Sequence, residues 1–229
     1  MYQRSILVTG ASTGIGLATA RALKIRGWRV LATARKPADL DRLATNEQLE
    51  VLPLELTDEG SIAACAEEAL RRTEGKLTAL YNNAAYGVVG AMEDISAAVL
   101  RRHFEANVIG THDLTRRIIP AMRTAGTGRI VMCSSVLGFV SGPYRGAYCG
   151  TKFAIEAIAD AMRVELWGSG IHVALIEPGP IDTEFLPTSL ANFKRDIDVA
   201  RSPHRAAYEK RMAMMEKGQP SVFRLGPEA

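Results

Sequence analysis

Cysteine is scarce in this chain of 229 residues, and that scarcity excludes a disulfide framework. Cys65, Cys133 and Cys149 are odd in number and lack metal-ligand spacing, so a reduced, cytoplasmic setting is expected. The four histidines, His103, His112, His172 and His204, show no metal spacing either; no metal site is expected and none of them is assigned chemistry. Long apolar runs are missing. The run that opens at Ser5 stops at Gly10, too short for a signal peptide or an integral membrane segment. Charge of one sign does not dominate: 28 Lys and Arg stand against 25 Asp and Glu, for a net charge of +3, and the basic residues are scattered. No nucleic-acid partner is expected from such a distribution. Repeats and low-complexity segments are absent.

What is present is an apolar content of 47%, enough for a substantial core, in a length that suits one domain spanning residues 1–229. Short apolar runs alternate with helical patterns. Strands are expected over 5–9, 28–34, 50–56, 77–81, 128–133 and 170–177. Helices are expected from Leu17 to the stop at Gly27, over 58–73 with Thr57 or Asp58 as cap, over 97–123, over 146–168 and over 201–215. This alternation predicts an α/β fold, a single doubly wound parallel sheet of the Rossmann type.

The first strand runs into Thr9-Gly-Ala-Ser-Thr-Gly-Ile-Gly16 and then a helix. Glycines let a phosphate approach the backbone, and a helix start offers free N–H groups and a partial positive charge. At the end of the second strand an acid would take the 2′-hydroxyl of NAD. Ala34 stands there instead, followed by Arg35, whose guanidinium suits a 2′-phosphate. NADP(H) is therefore the expected cofactor, with NAD(H) as the alternative. Asn107, in the middle of a long helical pattern, either faces water or perturbs the helix to hold a water in the site.

Tyr148 and Lys152 are one helical turn apart and stack on one face of the helix expected from Gly146. A phenol has an ordinary pKa of about 10, and a nearby ammonium lowers it, which would tune Tyr148 as a general acid and base. Ser135 lies thirteen residues before the tyrosine, at the end of the fifth strand.

Taken together, Thr9–Gly16, Asn82-Asn-Ala-Ala85, Asn107, Ser135, Tyr148-x-x-x-Lys152 and Pro178-Gly179 have the order and spacing of the short-chain dehydrogenase/reductase family, over roughly residues 4 to 185. Asn82–Gly90 and Ile176–Phe185 resemble the retinol dehydrogenase and 17β-hydroxysteroid dehydrogenase type 1 branch. The resemblance implies an oxidoreductase that moves hydride between a nicotinamide cofactor and the carbon of an alcohol or carbonyl. It implies that Asn107, Ser135, Tyr148 and Lys152 are catalytic. Ser135 would hydrogen-bond the substrate oxygen, and Asn107 would hold a water linking Lys152 to solvent. Lys152 would hold the nicotinamide ribose and lower the pKa of Tyr148. It further implies that Gly10, Ser12, Thr13 and Ile15 wrap the phosphate side of the cofactor, that Arg35 takes the 2′-phosphate, and that Glu55 and Leu56 lie beside the adenine. Asn83 would lie along the adenosine ribose; Pro178 and Gly179, with Ile181 and Thr183 on the carboxamide, would complete the set. Ala85 replaces the family's usual glycine, and Glu55 its usual aspartate.

On the substrate side Ser135, Phe139, Val140, Pro143, Tyr144, Phe185 and Leu186 are expected to border the reacting carbonyl, which suits a small apolar alcohol, ketone or aldehyde. Residues 180–221 read as a variable substrate loop or lid. Residues 225–229 read as a helix start, and the family continues with that helix and a seventh strand, so the last helix and strand are expected to be missing and the sixth strand to be a sheet edge. The family's pairing through 97–123 and 146–168 implies a homodimer or homotetramer. Two rival functions are an NAD-dependent catabolic alcohol dehydrogenase and a non-catalytic NADP-binding regulator.

Overall fold

The computed structural model describes residues 4–216 and 225–228. Six strands form one parallel sheet: β1 (Ser5–Val8), β2 (Arg29–Ala34), β3 (Glu50–Pro53), β4 (Ala79–Asn82), β5 (Gly128–Cys133) and β6 (Ile171–Ile176). Their order is β3-β2-β1-β4-β5-β6. The chain builds outward from β1 in one direction, returns to β4, and builds outward in the other. Neighbouring strand ends therefore part between β1 and β4, where such sheets form a crevice at their carboxyl edge. The helices are α1 (Gly14–Ile25), α2 (Pro37–Thr45), α3 (Glu59–Arg72), α4 (Ala97–Phe104), α5 (Gly110–Ala125), α6 (Gly146–Glu165), α7 (Phe185–Asp196) and α8 (Arg205–Glu216).

The central strands β1, β2 and β4 are buried on both faces, as a sheet covered by helices on each side requires. Along β1, Leu7 faces the layer that contains Ile62 of α3, Leu114 and Ile118 of α5 and Ile155 of α6. Ile6 and Val8 face the opposite layer, with Ala20 of α1 and Leu43 of α2. Burying one such aliphatic side chain is worth about 1.5–3 kcal/mol. A third cluster, Val88, Val89, Ile95, Phe193 and Tyr208, packs α7 and α8 over the carboxyl edge.

Several expected boundaries shift. β3 ends at Pro53 because Glu55 turns away, its N–H bonded to Ser61 Oγ at 2.9 Å. Asp58 caps α3, its carboxylate accepting from Ser61 N at 3.1 Å. The helix expected over 97–123 is interrupted by a π-helical turn, Glu105–Ile109, with Asn107 at its centre. Two helices were missed, α2, opened by Pro37, and α7. The helix start expected at 225–229 is corrected over its described part: Leu225 makes an isolated parallel bridge to Ile181, and a turn follows. Asp182 N donates to Leu225 O at 2.9 Å, a pairing that takes up the backbone where a helix was expected. Of the expected lid, 217–221 lie outside the described residues; the rest is α7, α8 and their connection. Among the described residues β6 is a sheet edge, and no helix is long and apolar enough to cross a membrane.

Candidate active site

The glycine-rich turn is held by the strand next to it. Thr9 Oγ1 accepts from the N–H groups of Asn83 and Ala84, both at 2.9 Å. Asn83 Nδ2 donates to Thr9 O at 2.9 Å and Gly10 O at 3.2 Å. Gly10 has φ +64, and a Cβ there would lie 2.8 Å from Ala84 Cα, so only glycine fits. A Cβ on Gly16 would overlap the Gly10 carbonyl. Thr13 begins α1 without a side-chain cap, which leaves the first N–H groups of that helix to face the cavity. Those groups and the crowded glycines fit a dinucleotide phosphate.

One cavity of about 710 Å3 runs along the carboxyl edge. Its wall includes every residue expected to hold a cofactor: Gly10, Ser12, Thr13, Ile15, Arg35, Glu55, Leu56, Asn83, Tyr148, Lys152, Pro178, Gly179, Ile181 and Thr183. At one end Arg35 is exposed and lies 3.8 Å from Glu55 Oε2, while Ala34 behind it is buried and carries no acid. The other carboxylate oxygen of Glu55 accepts from Thr57 N and Thr57 Oγ1.

At the other end Ser135 leaves β5. Its hydroxyl accepts from Leu137 N at 3.2 Å and donates to Pro178 O at 3.4 Å, and it acts electrostatically on Tyr148. Tyr148 and Lys152 share a face of α6, as their spacing predicts, and both are buried. Lys152 Nζ donates to Cys133 O at 2.6 Å and lies 5.6 Å from the centre of the Tyr148 ring. Burial dominates both groups. It pushes the Tyr148 phenol above its ordinary pKa, against the pull of Ser135 and Arg145. It pushes the Lys152 ammonium down, against the field of Cys133 and Glu156. The expected lowering of Tyr148 by Lys152 is replaced here by a rise from desolvation. A phenol so placed keeps its proton at neutral pH and can donate it.

Asn107 is buried and outside the cavity wall. Its amide closes on the backbone of Tyr86, accepting from Tyr86 N at 3.1 Å and donating to Tyr86 O at 2.9 Å. The π-helical turn presents that amide to the strand-end loop that carries Tyr86. Of the expected substrate residues, Ser135, Phe185 and Leu186 line the cavity, and the Phe185 ring meets the Tyr148 ring edge-on at 5.2 Å. Phe139 and Val140 are exposed outside that wall. Tyr144 instead packs against His204 and Tyr208, so it anchors α8.

Residues 4–192 match the family described as short chain dehydrogenase. The chain belongs to that family. A short-chain dehydrogenase is an oxidoreductase acting on CH–OH groups, and the chain is one. It is 43% identical to the uncharacterized oxidoreductase YbbO of Escherichia coli strain K12, over all of this chain and 79% of that protein. It is 32% identical to human 17-beta-hydroxysteroid dehydrogenase type 1, over 86% of this chain and 63% of that protein. A variant of actinorhodin polyketide ketoreductase, solved with NADPH, superimposes with a TM-score of 0.79 at 26% identity, over 99% of this chain and 86% of that one.

Two residues of the site were not singled out by sequence reasoning. His103 is fully buried on α4 against Tyr86 and 6.2 Å from the Tyr148 ring. Its Nε2 lies 2.9 Å from Tyr86 O, its Nδ1 has no partner among the described residues, and burial lowers its pKa to about 4. Its position four before Asn107, one turn away, was the available signal. Arg145, three before Tyr148, lines the cavity at the start of α6.

Proposed function

We propose that this dehydrogenase is NADP(H)-dependent and interconverts an apolar alcohol and its ketone or aldehyde, with Tyr148 as general acid and base. The observation that carries the reading is one cavity lined at once by the uncapped start of α1, by Arg35 and by Ser135, Tyr148 and Lys152. A bound nicotinamide supplies or accepts the hydride. The chain's own residues do the rest. Gly10, Ser12, Thr13 and Ile15 would hold the pyrophosphate side, Arg35 the 2′-phosphate, Glu55 and Leu56 the adenine, and Asn83 the adenosine ribose. Pro178, Gly179, Ile181 and Thr183 would hold the carboxamide end, and Lys152 the neighbouring ribose. Ser135 orients the substrate oxygen. Tyr148 Oη gives that oxygen its proton in reduction and takes it in oxidation. Asn107 acts through Tyr86, fixing the wall of the cavity. Phe185, Leu186 and Leu137 give the substrate side its apolar surface and help to exclude water.

The NAD-dependent alternative draws on Glu55, whose carboxylate partly offsets Arg35 and could accept from a ribose hydroxyl. Titration with NADPH and NADH, followed by the fluorescence of Trp28 and Trp167, decides between them. Loss of a charged hydrogen bond costs roughly ten- to hundredfold in affinity, so Arg35→Ala should lose about that much for NADPH and little for NADH. Tighter binding of NADH by the unaltered protein would overturn the NADP(H) reading. The reading includes a homodimer or homotetramer in the cytoplasm. Ile109, Phe153 and Val164 are exposed apolar residues on the π turn and α6 available to such a contact, and the three buried cysteines are free.

A further inference from the structure

Arg145 is a cation in an unfavourable place. It lies at the N-cap of α6, a helix of 20 residues, where the partial positive charge of the helix opposes it. Serine, threonine, asparagine or aspartate would cap that helix better. The residue before it, Tyr144, has φ +63, a left-handed conformation that a tyrosine adopts only under constraint. The Tyr144 ring is fixed by Tyr208 and His204, and the guanidinium of Arg211 on α8 sits 4.9 Å from its centre. Arg145 therefore feels the like charge of a second guanidinium, and it lines the cavity that holds Tyr148.

Among the described residues no carboxylate pairs with either. Glu55 lines the same cavity but pairs with Arg35 at its far end. Glu184 lines it too, and makes no ion pair with Arg145. Part burial, a like charge and the positive end of a helix all act against the guanidinium, and nothing in the described chain compensates. An anion at the cavity wall would offset all three. Arginine is suited to it, since its planar fork matches carboxylate and phosphate oxygens.

We propose that Arg145 is a specificity-determining residue that binds an oxyanion carried by the substrate, so that this enzyme selects an alcohol or carbonyl compound whose apolar body ends in a carboxylate or phosphate. The inference rests on the oxidoreductase reading above and adds a class of substrate to it. The apolar wall takes the chain of such a compound, Ser135 and Tyr148 take its reacting oxygen, and Arg145 takes its charge.

The test compares ω-oxodecanoate, its methyl ester and ω-oxodecyl phosphate as substrates with saturating NADPH, in the unaltered protein, Arg145→Gln and Arg145→Lys. The expected acid-to-ester ratio of kcat/KM in the unaltered protein is roughly ten- to hundredfold, carried by KM. It should fall to about one in Arg145→Gln and remain above one in Arg145→Lys. The phosphate arm tells a phosphate preference from a carboxylate one. A ratio near one in the unaltered protein, or an equal ratio in Arg145→Gln, overturns the proposal. A binding measurement keeps the two readings apart. Decanoate should raise the Tm of the NADPH complex more than decanol does, and Arg145→Gln should erase that difference. If decanoate binds through Arg145 while no carbonyl is turned over, the oxidoreductase reading of the substrate fails and the anion site stands. If carbonyls are turned over and decanoate shows no such difference, the anion site fails alone.

Discussion

Replacement of Asn107 by alanine tests how the π-helical turn serves the site. The amide is buried and makes two hydrogen bonds to one residue, accepting from Tyr86 N at 3.1 Å and donating to Tyr86 O at 2.9 Å. Nδ2 also lies 3.3 Å from Thr151 Oγ1 and 2.9 Å from His103 Nε2. Alanine removes all four contacts, and the partners fare differently. Tyr86 O keeps His103 Nε2 at 2.9 Å, and Thr151 Oγ1 still donates to Tyr148 O at 2.8 Å. Tyr86 N is left without an acceptor. Tyr86 is half-buried, so its unpaired donor costs about 1–2 kcal/mol, and the lost bonds about 1 kcal/mol more; Asn107→Ala should destabilise by about 2–3 kcal/mol. For a domain of this size that is a fall in Tm of about 4–12 °C. Thermal unfolding by circular dichroism measures it. Tyr86 lines the cavity, so turnover measured well below the new Tm should fall as well. A Tm within about 2 °C of the unaltered protein would refute the role of Asn107 as the clamp on Tyr86.

Three further outcomes are expected. The pKa of His103 is lowered to about 4 by burial, so the fold favours the neutral ring. Stability is full above the unfolded value of about 6.5 and is lost as pH falls from there toward about 4, by about 3 kcal/mol in all. His103→Gln should flatten that part of a Tm-against-pH curve, and an unchanged slope would count against a buried neutral His103. Gly16→Ala forces a methyl into the Gly10 carbonyl and should abolish NADPH binding in a fluorescence titration; affinity within about twofold would contradict the crowding. Tyr208 donates to Asp94 Oδ2 at 2.5 Å and accepts from Ala91 N at 2.7 Å. Tyr208→Phe should therefore speed hydrogen exchange across 205–212 by roughly ten- to hundredfold while the β-sheet amides stay protected. Equal acceleration throughout would mean that α8 does not open separately.

The sheet was legible because its strands are short apolar runs, near-continuously buried in β1, β2 and β4, bounded by glycine, proline or charge. The glycine turn and the Tyr148–Lys152 spacing were legible because local chemistry forces them: only glycine fits at 10 and 16, and one helical turn separates the tyrosine from the lysine. What could not be read depends on contacts distant in sequence. The π-helical turn at 105–109 exists because Asn107 reaches Tyr86, twenty-one residues away. Phe139, Val140 and Tyr144 follow Ser135 closely, yet a 3-10 turn at Val136–Gly138 and the left-handed Tyr144 direct them away from the cavity. The anchoring of α8 through Asp94, Ser202 and Tyr208 joins segments more than 100 residues apart. The pKa of Tyr148 was read from its neighbour Lys152, and the structure assigns the larger effect to burial, which no spacing reveals.

The central claim is that Tyr148 moves the proton in a reaction driven by a bound nicotinamide. NADPH oxidation with an apolar aldehyde, measured beside NADPH binding in the unaltered protein and Tyr148→Phe, tests it most directly. The account predicts nearly unchanged NADPH affinity and a loss of turnover of about a hundredfold or more. Turnover close to that of the unaltered protein would contradict it.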